Sequence, residues 1–587
     1  MKNHFVVLDF EFREVVPGMV EVVCIVAIDL ATGRVYRVWM EGEYLSGPPF
    51  PCGPDTILVA HAVAPAEARC LRALGWPMPG GWIDIYVEER VRASGEKPED
   101  GFGLLACCLR HGLRCISSDE KTFMRELILR GGPYSPEQRQ DILDYCEGDV
   151  RETVALFRQL LPSMNIPQAL IRGGSMAVFA AIGDCGLPID TERFTAIKHL
   201  GNEGLRRLWQ EHLDAYGLME NGSFCYQRFA ELVVKSGTPW PRTDTGRFKY
   251  DKDTLKDAAK AYGEPWTSAY ELMRSIAGGA VGGLELGLNG RLYAAPKPFM
   301  TITGRAAPST SEFLFLGPKW LRSLLQPPPG HTLLQFDWAN QEFAIAAALS
   351  QDPAMMAAYA GGDPYLAIAK IAGAVPENAT KESHPAERAD YKIVSLAVLM
   401  GMGVGNIGRQ TGTGYFGGRE LLQKHKASFP KFWDWSNAVA ATGAAASDIE
   451  TAFGLVYNPG DPGQFKPRTA RNFLLQATGS DMLRVAVLLL EQAGINVIAT
   501  MHDAVLVMCE TNRVDEVERE VASLMEEASR ITLWGRLTVR VDPPKIDLGH
   551  GEVTRVDHPF HFQDKKGAKT WRKLAVLLNL PLDAYNG

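Results

Sequence analysis

The chain has 587 residues, 46 % of them apolar and 22 % charged, and at about 150 residues per domain it has room for roughly three to five domains. These proportions exclude a disordered, collagen-like or coiled-coil chain, and the length excludes a single small binding module. The 61 basic and 69 acidic side chains leave a net charge of −8, which excludes a uniformly basic nucleic-acid binder but not a basic groove on an acidic body.

The ten cysteines, with Cys107 beside Cys108 and then Cys115, match no C-x-x-C pair and are expected as reduced thiols. MKNHFVVLDFEF enters a β-type segment without an apolar signal region, and no run of about 18 apolar residues follows. A cytosolic protein with no membrane partner is expected.

Strands are predicted at His4 to Phe12, Glu21 to Asp29 and Val35 to Met40, with a turn from Asp29 to Gly33. In ILVAHAVAPAEARCLRALGWP, Glu67 begins a helical stretch, and Asp84 follows in WIDIY as a further acid for the same neighbourhood. Ser135, Pro136 and Gln138 supply an N-cap, a proline at the first helical position and a capping-box partner. Ile142, Cys146, Val150, Val154 and Phe157 then recur at helical spacing, so this helix closes a first domain near Leu161 and Pro162. Residues 165 to 285 read as charged and mostly helical, a connector and arm with a break from Trp240 to Gly246 and a glycine cluster from Gly278 to Gly283. Beyond Gly290, Gln326 to Gly330 precedes a strand from Leu333 to Asp337, followed by alanine-rich helices and a hairpin over 495 to 509. Gly403, Gly405 and Gly408 fit G-x-G-x-x-G formally, but they follow a helix and lack a downstream acid, so a flexible turn is expected. Trp433 and Trp435 are assigned to packing, and Asp515 to Glu527 to a solvated amphipathic helix.

Asp9 and Glu11 are two apart on a strand and share one face, while Leu8 and Phe10 take the other. Two such carboxylates repel unless a cation lies between them, although an exposed strand face carries the same pattern. Tyr145 and Asp149 are four apart and share a helix face. Asp337 ends a strand, Glu342 stands in the first turn of the next helix, and Asp503 sits at a hairpin tip; each alone is also an ordinary turn acid. Arg388, Lys392, Leu396 and Met400 are spaced by four, basic at the end where the helix dipole already disfavours cations. A polyphosphate would compensate them, and a solvated basic turn would read the same way. Arg468, Asn472 and Gln476 form a second, polar stripe at the same spacing.

The segments around Asp337, Arg388 to Met400 and Asp503, in this order, resemble the three polymerase motifs of family A DNA polymerases. The stretches AEARCLRALGWP, TITGRAAPS and DPYLAIAK look closest to the compact phage-type branch. The front of the chain resembles the DEDD 3′-to-5′ exonucleases with a tyrosine four residues before the last aspartate, Asp9 and Glu11 forming the first motif and Tyr145 and Asp149 the third. Glu67 takes the place where that family has an aspartate.

The resemblance implies an α/β multidomain chain, an RNase H-like exonuclease domain followed by a right-hand polymerase. The implied boundaries are 1–163 for the exonuclease, 164–290 for connector and thumb, 291–340 for the first part of the palm, 341–470 for the fingers, and 471–587 for the second part of the palm and a C-terminal segment. It also implies two Mg²⁺ ions at each site, with Mn²⁺ as a substitute. Asp337 and Asp503 would hold one pair, and Asp9, Glu11, Glu67 and Asp149 the other, with Tyr145 orienting water. Arg388 and Lys392 would bind the triphosphate, Lys392 protonating the pyrophosphate, and Glu342 would block a ribose 2′ hydroxyl. His502 would touch the primer end, Arg468, Asn472 and Gln476 the minor groove and template, and Arg305 and Arg322 the duplex or nucleotide. Leu396 and Met400 replace the aromatics usual at those positions, which alters nucleotide selection. The implied partners are primer-template DNA and dNTPs around a monomeric chain; whether a helicase, clamp or processivity factor joins them is not given by the sequence. Competing readings are an exonuclease with an idle polymerase half, a single-subunit RNA polymerase, which Glu342 and the exonuclease segment oppose, and a silent scaffold.

Overall fold

The structure, a computed structural model, describes residues 4–42, 45–95, 98–199, 216–221, 223–270, 283–309, 312–458, 465–547, 571–572 and 575–576. Gly278 to Gly282 and most of the expected C-terminal segment lie outside the described residues. The chain forms two units, the first from Met1–Cys185, Pro296–Ala307 and Leu334–Pro544, the second from Gly186–Ala295, Pro308–Leu333 and Lys545–Gly587.

The β-branched N-terminus of unit 1 builds β1 (His4–Val16), β2 (Met19–Asp29), β3 (Val35–Trp39), β4 (Thr56–Ala60) and β5 (Gly81–Asp84) into one sheet of order β3-β2-β1-β4-β5. The first three strands are antiparallel and the β1-β4 and β4-β5 pairs parallel. Alternation along β1 sends Val6, Leu8 and Phe10 into a core that also holds Trp82, Met176, Val439, Ala470, Phe473 and Ala477. Val7 faces the opposite core, with Ile142, Cys146 and Val150. Asp9 and Glu11 lie opposite Val26 and Cys24, and the register shifts just after Glu11.

Six helices accompany this sheet: α1 (Glu67–Ala73), α2 (Ile85–Arg92), α3 (Leu104–Arg110), α4 (Ser118–Arg130), α5 (Pro136–Leu160) and α6 (Ile166–Cys185). The predicted capping box at α5 is formed, Ser135 Oγ accepting from the Gln138 amide at 3.2 Å and Gln138 Oε1 from the Ser135 amide at 2.9 Å. Residues 166–185 are not the charged connector expected of them: α6 is apolar and largely buried. At Gly173 a Cβ would stand 2.1 Å from the Trp82 carbonyl oxygen, so only glycine allows this helix to approach β5. One residue earlier, the Arg172 guanidinium donates to Glu88 at 2.8 and 2.7 Å and to the Phe453 carbonyl at 2.7 Å.

The rest of unit 1 carries β6 (His331–Asp337, from Leu334 onward), α7 (Gln341–Ser350), α8 (Pro353–Ala360), α9 (Pro364–Ile371), α10 (Pro385–Leu399), α11 (Val404–Thr411), α12 (Gly414–Ser428), α13 (Pro430–Ala444), α14 (Pro467–Gln492), β7 (Val497–Met501), β8 (Ala504–Glu510) and α15 (Val514–Thr532). Strand β8 is hydrogen-bonded to β7 on one side and β6 on the other. The expected flexible turn at Gly403 to Gly408 is instead the N-cap and body of α11. The missing side chain explains it: a Cβ on Gly408 would meet the Gly414 carbonyl at 1.8 Å, so the glycine lets α11 and the start of α12 touch. Trp433 and Trp435 pack as expected, Trp433 Nε1 donating to His425 Nδ1 at 3.2 Å and Trp435 lying 6.0 Å from the Phe432 ring. In α15, Val514, Val517, Val521 and Met525 face inward, the amphipathic pattern read from the sequence. By length and composition α6 and α14 are apolar enough to cross a membrane, and each is more than half buried inside the fold.

Unit 2 has its own core, in which Phe229, Trp266 and Tyr270 are buried between helices 226–236 and 252–262. None of the ten cysteines forms a disulfide.

Candidate active sites

The first site lies between β1, α1, α4 and α5. Asp9, Glu11 and Cys146 bring ligand atoms within 4.8 Å of one another, and the Cys146 thiol donates to Asp9 Oδ2 at 3.5 Å. Glu67, at the first position of α1, is fully buried. Burial, then the charge of Asp149, pushes the Asp9 carboxyl up to about 7. Burial and the charge of Asp9 push Glu11 and Glu67 well above the ordinary range. The Tyr145 hydroxyl is raised by burial and by Asp149, Glu11 and Asp9, so it belongs to the same electrostatic neighbourhood.

Asp149 also reaches this cluster, but its carboxylate is occupied by Lys121 of α4, whose Nζ stands 3.2 and 3.0 Å from the two oxygens. Burial alone would lower the lysine's pKa, yet Asp149, Asp9 and Glu152 together hold it above its ordinary value. Asp84, considered from the sequence as an additional acid, is instead a structural cap. Its carboxylate accepts from the amides of Ala62, Val63, Tyr86 and Val87, tying the β4 exit to the start of α2. The carboxylate oxygens of Asp9, Glu11 and Glu67, gathered beside the Cys146 thiol, are hard donors in a buried setting, and such oxygens fit a divalent cation such as Mg²⁺.

At the second site, Asp337 ends β6, and Asp503 occupies the two-residue turn between β7 and β8, where Met501 pairs with Ala504. His502 adopts φ 57° in that turn and is exposed. Asn340, at φ 54°, precedes α7 and sets Glu342 in its first turn. Arg305 Nη2 stands 3.5 Å from Glu342 Oε1. Burial raises the Glu342 carboxyl; Arg305 opposes this and Asp503 adds to it. Asp503 is likewise raised by burial, with Arg305 and His502 pulling the other way. Acids kept this close in a half-buried setting call for added positive charge, and oxygen donors again suit Mg²⁺.

On α10, Arg388 Nε donates to Asp363, the N-cap of α9. The Arg388 guanidinium and the exposed Lys392 ammonium each lie 5.7 Å from the centre of the Tyr365 ring. Leu396 is half-buried further down the same helix, and Met400 caps its end. The polar stripe of α14 meets that end: Arg468 Nε and Asn472 Nδ2 both donate to the Met400 carbonyl at 3.0 Å, and Gln476 Nε2 lies 3.4 Å from Met400 Sδ. Arg322 belongs to unit 2, on the short helix Lys319–Leu324, with its guanidinium 5.4 Å from the Phe315 ring centre.

Sequence reasoning missed Lys121, Asp363 and Tyr365. Asp363 followed by Pro364 carried a cap signal that was available. Lys121 carried none, because its partner is on another helix 28 residues away.

Residues 288–547 match the family described as DNA polymerase family A. The chain is 25 % identical over 395 residues to DNA polymerase I of Aquifex aeolicus, covering 63 % of this chain and 65 % of that one. It is 26 % identical over 525 residues to the DNA polymerase of Mycobacterium phage D29, covering 86 % and 80 %. Against DNA polymerase I of Rhizobium leguminosarum it is 23 % identical over 343 residues and spans only 33 % of that protein. The solved structure of the POL domain of Pol1 from M. smegmatis, in complex with DNA primer-template and dNTP, aligns with a TM-score of 0.66 at 17 % identity over 92 % of this chain and 95 % of that one, which shows a shared fold. It is through residues 288–547 that this chain is similar to DNA polymerase family A.

Proposed function

We propose that this protein is a template-directed DNA polymerase that adds deoxynucleotides to a primer 3′ end, and that its N-terminal region trims the same end as a 3′-to-5′ exonuclease. The observation that carries the polymerase reading is the charge-coupled group of Asp503, Glu342 and Arg305 within the family A segment, in which β8 pairs with the strand that ends in Asp337. Mg²⁺ would be held by Asp337 and Asp503 at this site, and by the Asp9, Glu11 and Glu67 carboxylates at the other. When bound, the ions activate the attacking oxygen and neutralise charge on the phosphoryl group.

The chain's own residues supply the rest. Arg388 and Lys392 offer cations at the N-terminal end of α10, where a triphosphate would compete with Asp363 for the guanidinium. Lys392 would give a proton to departing pyrophosphate. Glu342, held by Arg305, presents a carboxylate and a wall against a ribose 2′ hydroxyl, favouring dNTPs. Arg305, His502, Arg468, Asn472 and Gln476 are assigned to primer, duplex and template, with Arg322 as a further contact. Leu396 and Met400 face the nucleotide with aliphatic side chains. Such contacts read duplex shape and phosphates more than sequence, as copying requires. At the trimming site, Tyr145 would orient the water. The substrates are primer-template DNA and dNTPs, and the chain acts as a monomer in the cytosol of a bacterial or infected host cell.

A 5′-labelled primer on a longer template, incubated with Mg²⁺ and dNTPs, rNTPs or no nucleotide, tests both activities on one gel. Extension with dNTPs alone, and shortening without nucleotides, is the expected result. Extension by rNTPs or none at all would overturn the polymerase reading, and an unshortened primer the exonuclease reading.

A further inference from the structure

Resting on the reading of the Asp9 cluster as a nuclease centre, we infer that the Lys121 ammonium stands in for one of the two cations, so that this site holds a single divalent ion. Three observations carry it. Lys121 engages both oxygens of Asp149, at 3.2 and 3.0 Å, and so takes the acid that the DEDD pattern assigns to a metal. Asp9 and Glu11, by contrast, converge with the Cys146 thiol within 4.8 Å and form no ion pair among the described residues, a grouping that could hold one cation. Glu67, fully buried and with Asp9 as its strongest charged neighbour, completes the oxygen set on that side.

The lysine is held in place. Ser117 caps α4 through the Glu120 amide, which fixes the turn that carries Lys121, and the ammonium lies 5.9 Å from the centre of the Tyr145 ring. A tethered cation there supplies positive charge beside the carboxylate cluster without having to be bound from solution. A divalent ion at the same place would have to displace an ammonium already bonded to two oxygens.

The test counts ions instead of turnover. In the full chain carrying Asp337→Asn and Asp503→Asn, Mn²⁺ binding is followed by electron paramagnetic resonance, with and without Lys121→Met. One tightly held Mn²⁺ is expected in the parent and a second on removal of the lysine. The melting temperature of Lys121→Met should also fall in EDTA and recover with Mn²⁺ more than the parent's does. Should Lys121→Met fail to fold, Lys121→Gln, which keeps a hydrogen bond to Asp149 without the charge, gives the same count. Two ions in the parent, or one ion in the folded variant, overturns the inference while leaving the nuclease reading intact. No ion in either protein, with primer shortening unaffected by Asp9→Asn and Glu11→Gln, overturns the nuclease reading itself.

Discussion

Replacing Glu88 by leucine should destabilise unit 1 far more than its position, outside both groups of candidate site residues, suggests. The Arg172 and Glu88 side chains are 3 % and 7 % exposed and joined by two short hydrogen bonds. Removing the carboxylate leaves a buried guanidinium whose remaining bond is to the Phe453 carbonyl, and uncompensated buried charges of this kind cost about 3–5 kcal/mol. That is a fall of roughly a hundred- to several-thousand-fold in the folded-to-unfolded ratio. Arg172→Met should lose a comparable amount, because it strands the carboxylate. The double variant Arg172→Met with Glu88→Leu should recover most of the loss, because two apolar side chains replace the pair, and retain a deficit of about 1 kcal/mol for the Phe453 carbonyl that loses its donor. Urea unfolding of the full chain, followed by tryptophan fluorescence and by residual primer extension, measures all three. Single variants within about 1 kcal/mol of the parent, or a double variant as unstable as the sum of the singles, would refute the reasoning.

Other perturbations separate the two sites. Asp337→Ala or Asp503→Ala should lower extension by at least about a thousandfold while primer shortening persists, a loss of the size expected when metal ligands go; gel quantification with and without dNTPs checks it. Glu342→Ala should raise rNTP incorporation relative to dNTP by roughly ten- to a hundredfold, read from single-nucleotide kinetics. Because the folded pKa of Asp9, about 7, exceeds its unfolded value, the native metal-free protein binds more protons than the unfolded chain between about pH 4 and 7. Its stability should therefore fall as pH rises through that window. Mg²⁺ should restore it, with an affinity that weakens roughly tenfold per unit below pH 7 as a proton must leave; melting curves with Mg²⁺ and with EDTA report both. Gly408→Ala, whose new Cβ would meet the Gly414 carbonyl at 1.8 Å, should strain the α11 and α12 contact by about 1–3 kcal/mol and reduce extension without affecting shortening.

What the sequence disclosed and what it hid follow from range. Period-two alternation in β1 and the capping box of α5 are local signals, so the strand carrying Asp9 and Glu11 and the helix carrying Tyr145 and Asp149 were readable within a few residues. Asp337 and Asp503, 166 positions apart in the chain, were each legible as a strand end or a hairpin turn, and their places on β6 and beside β8 agree with that. The misreadings came where long-range packing decides. Arg172 makes a 20-residue apolar helix look less apolar than its surroundings, and only Glu88, 84 residues earlier, shows why a charge is tolerated there. Glycines at 403 to 408 signal flexibility by composition, whereas the close approach of α12 turns the same absence of side chains into a packing device. Lys121 shows no pattern of its own; its meaning exists only once α4 and α5 lie side by side.

The core shared by Val6, Leu8 and Phe10 with Val439, Ala470, Phe473 and Ala477 has a practical corollary. The N-terminal region proposed to trim primers is not a detachable cassette. A chain cut after residue 163 would leave one side of its sheet without the residues that cover it, and the remaining polymerase would bare a matching apolar strip on α14. The backbone seam between Ser94 and Asn458, at 2.8 Å, would be torn as well. The proposed trimming activity would therefore be most cleanly silenced by single changes at the Asp9 and Glu11 carboxylates, and excision of residues 1–163 should yield an insoluble remainder.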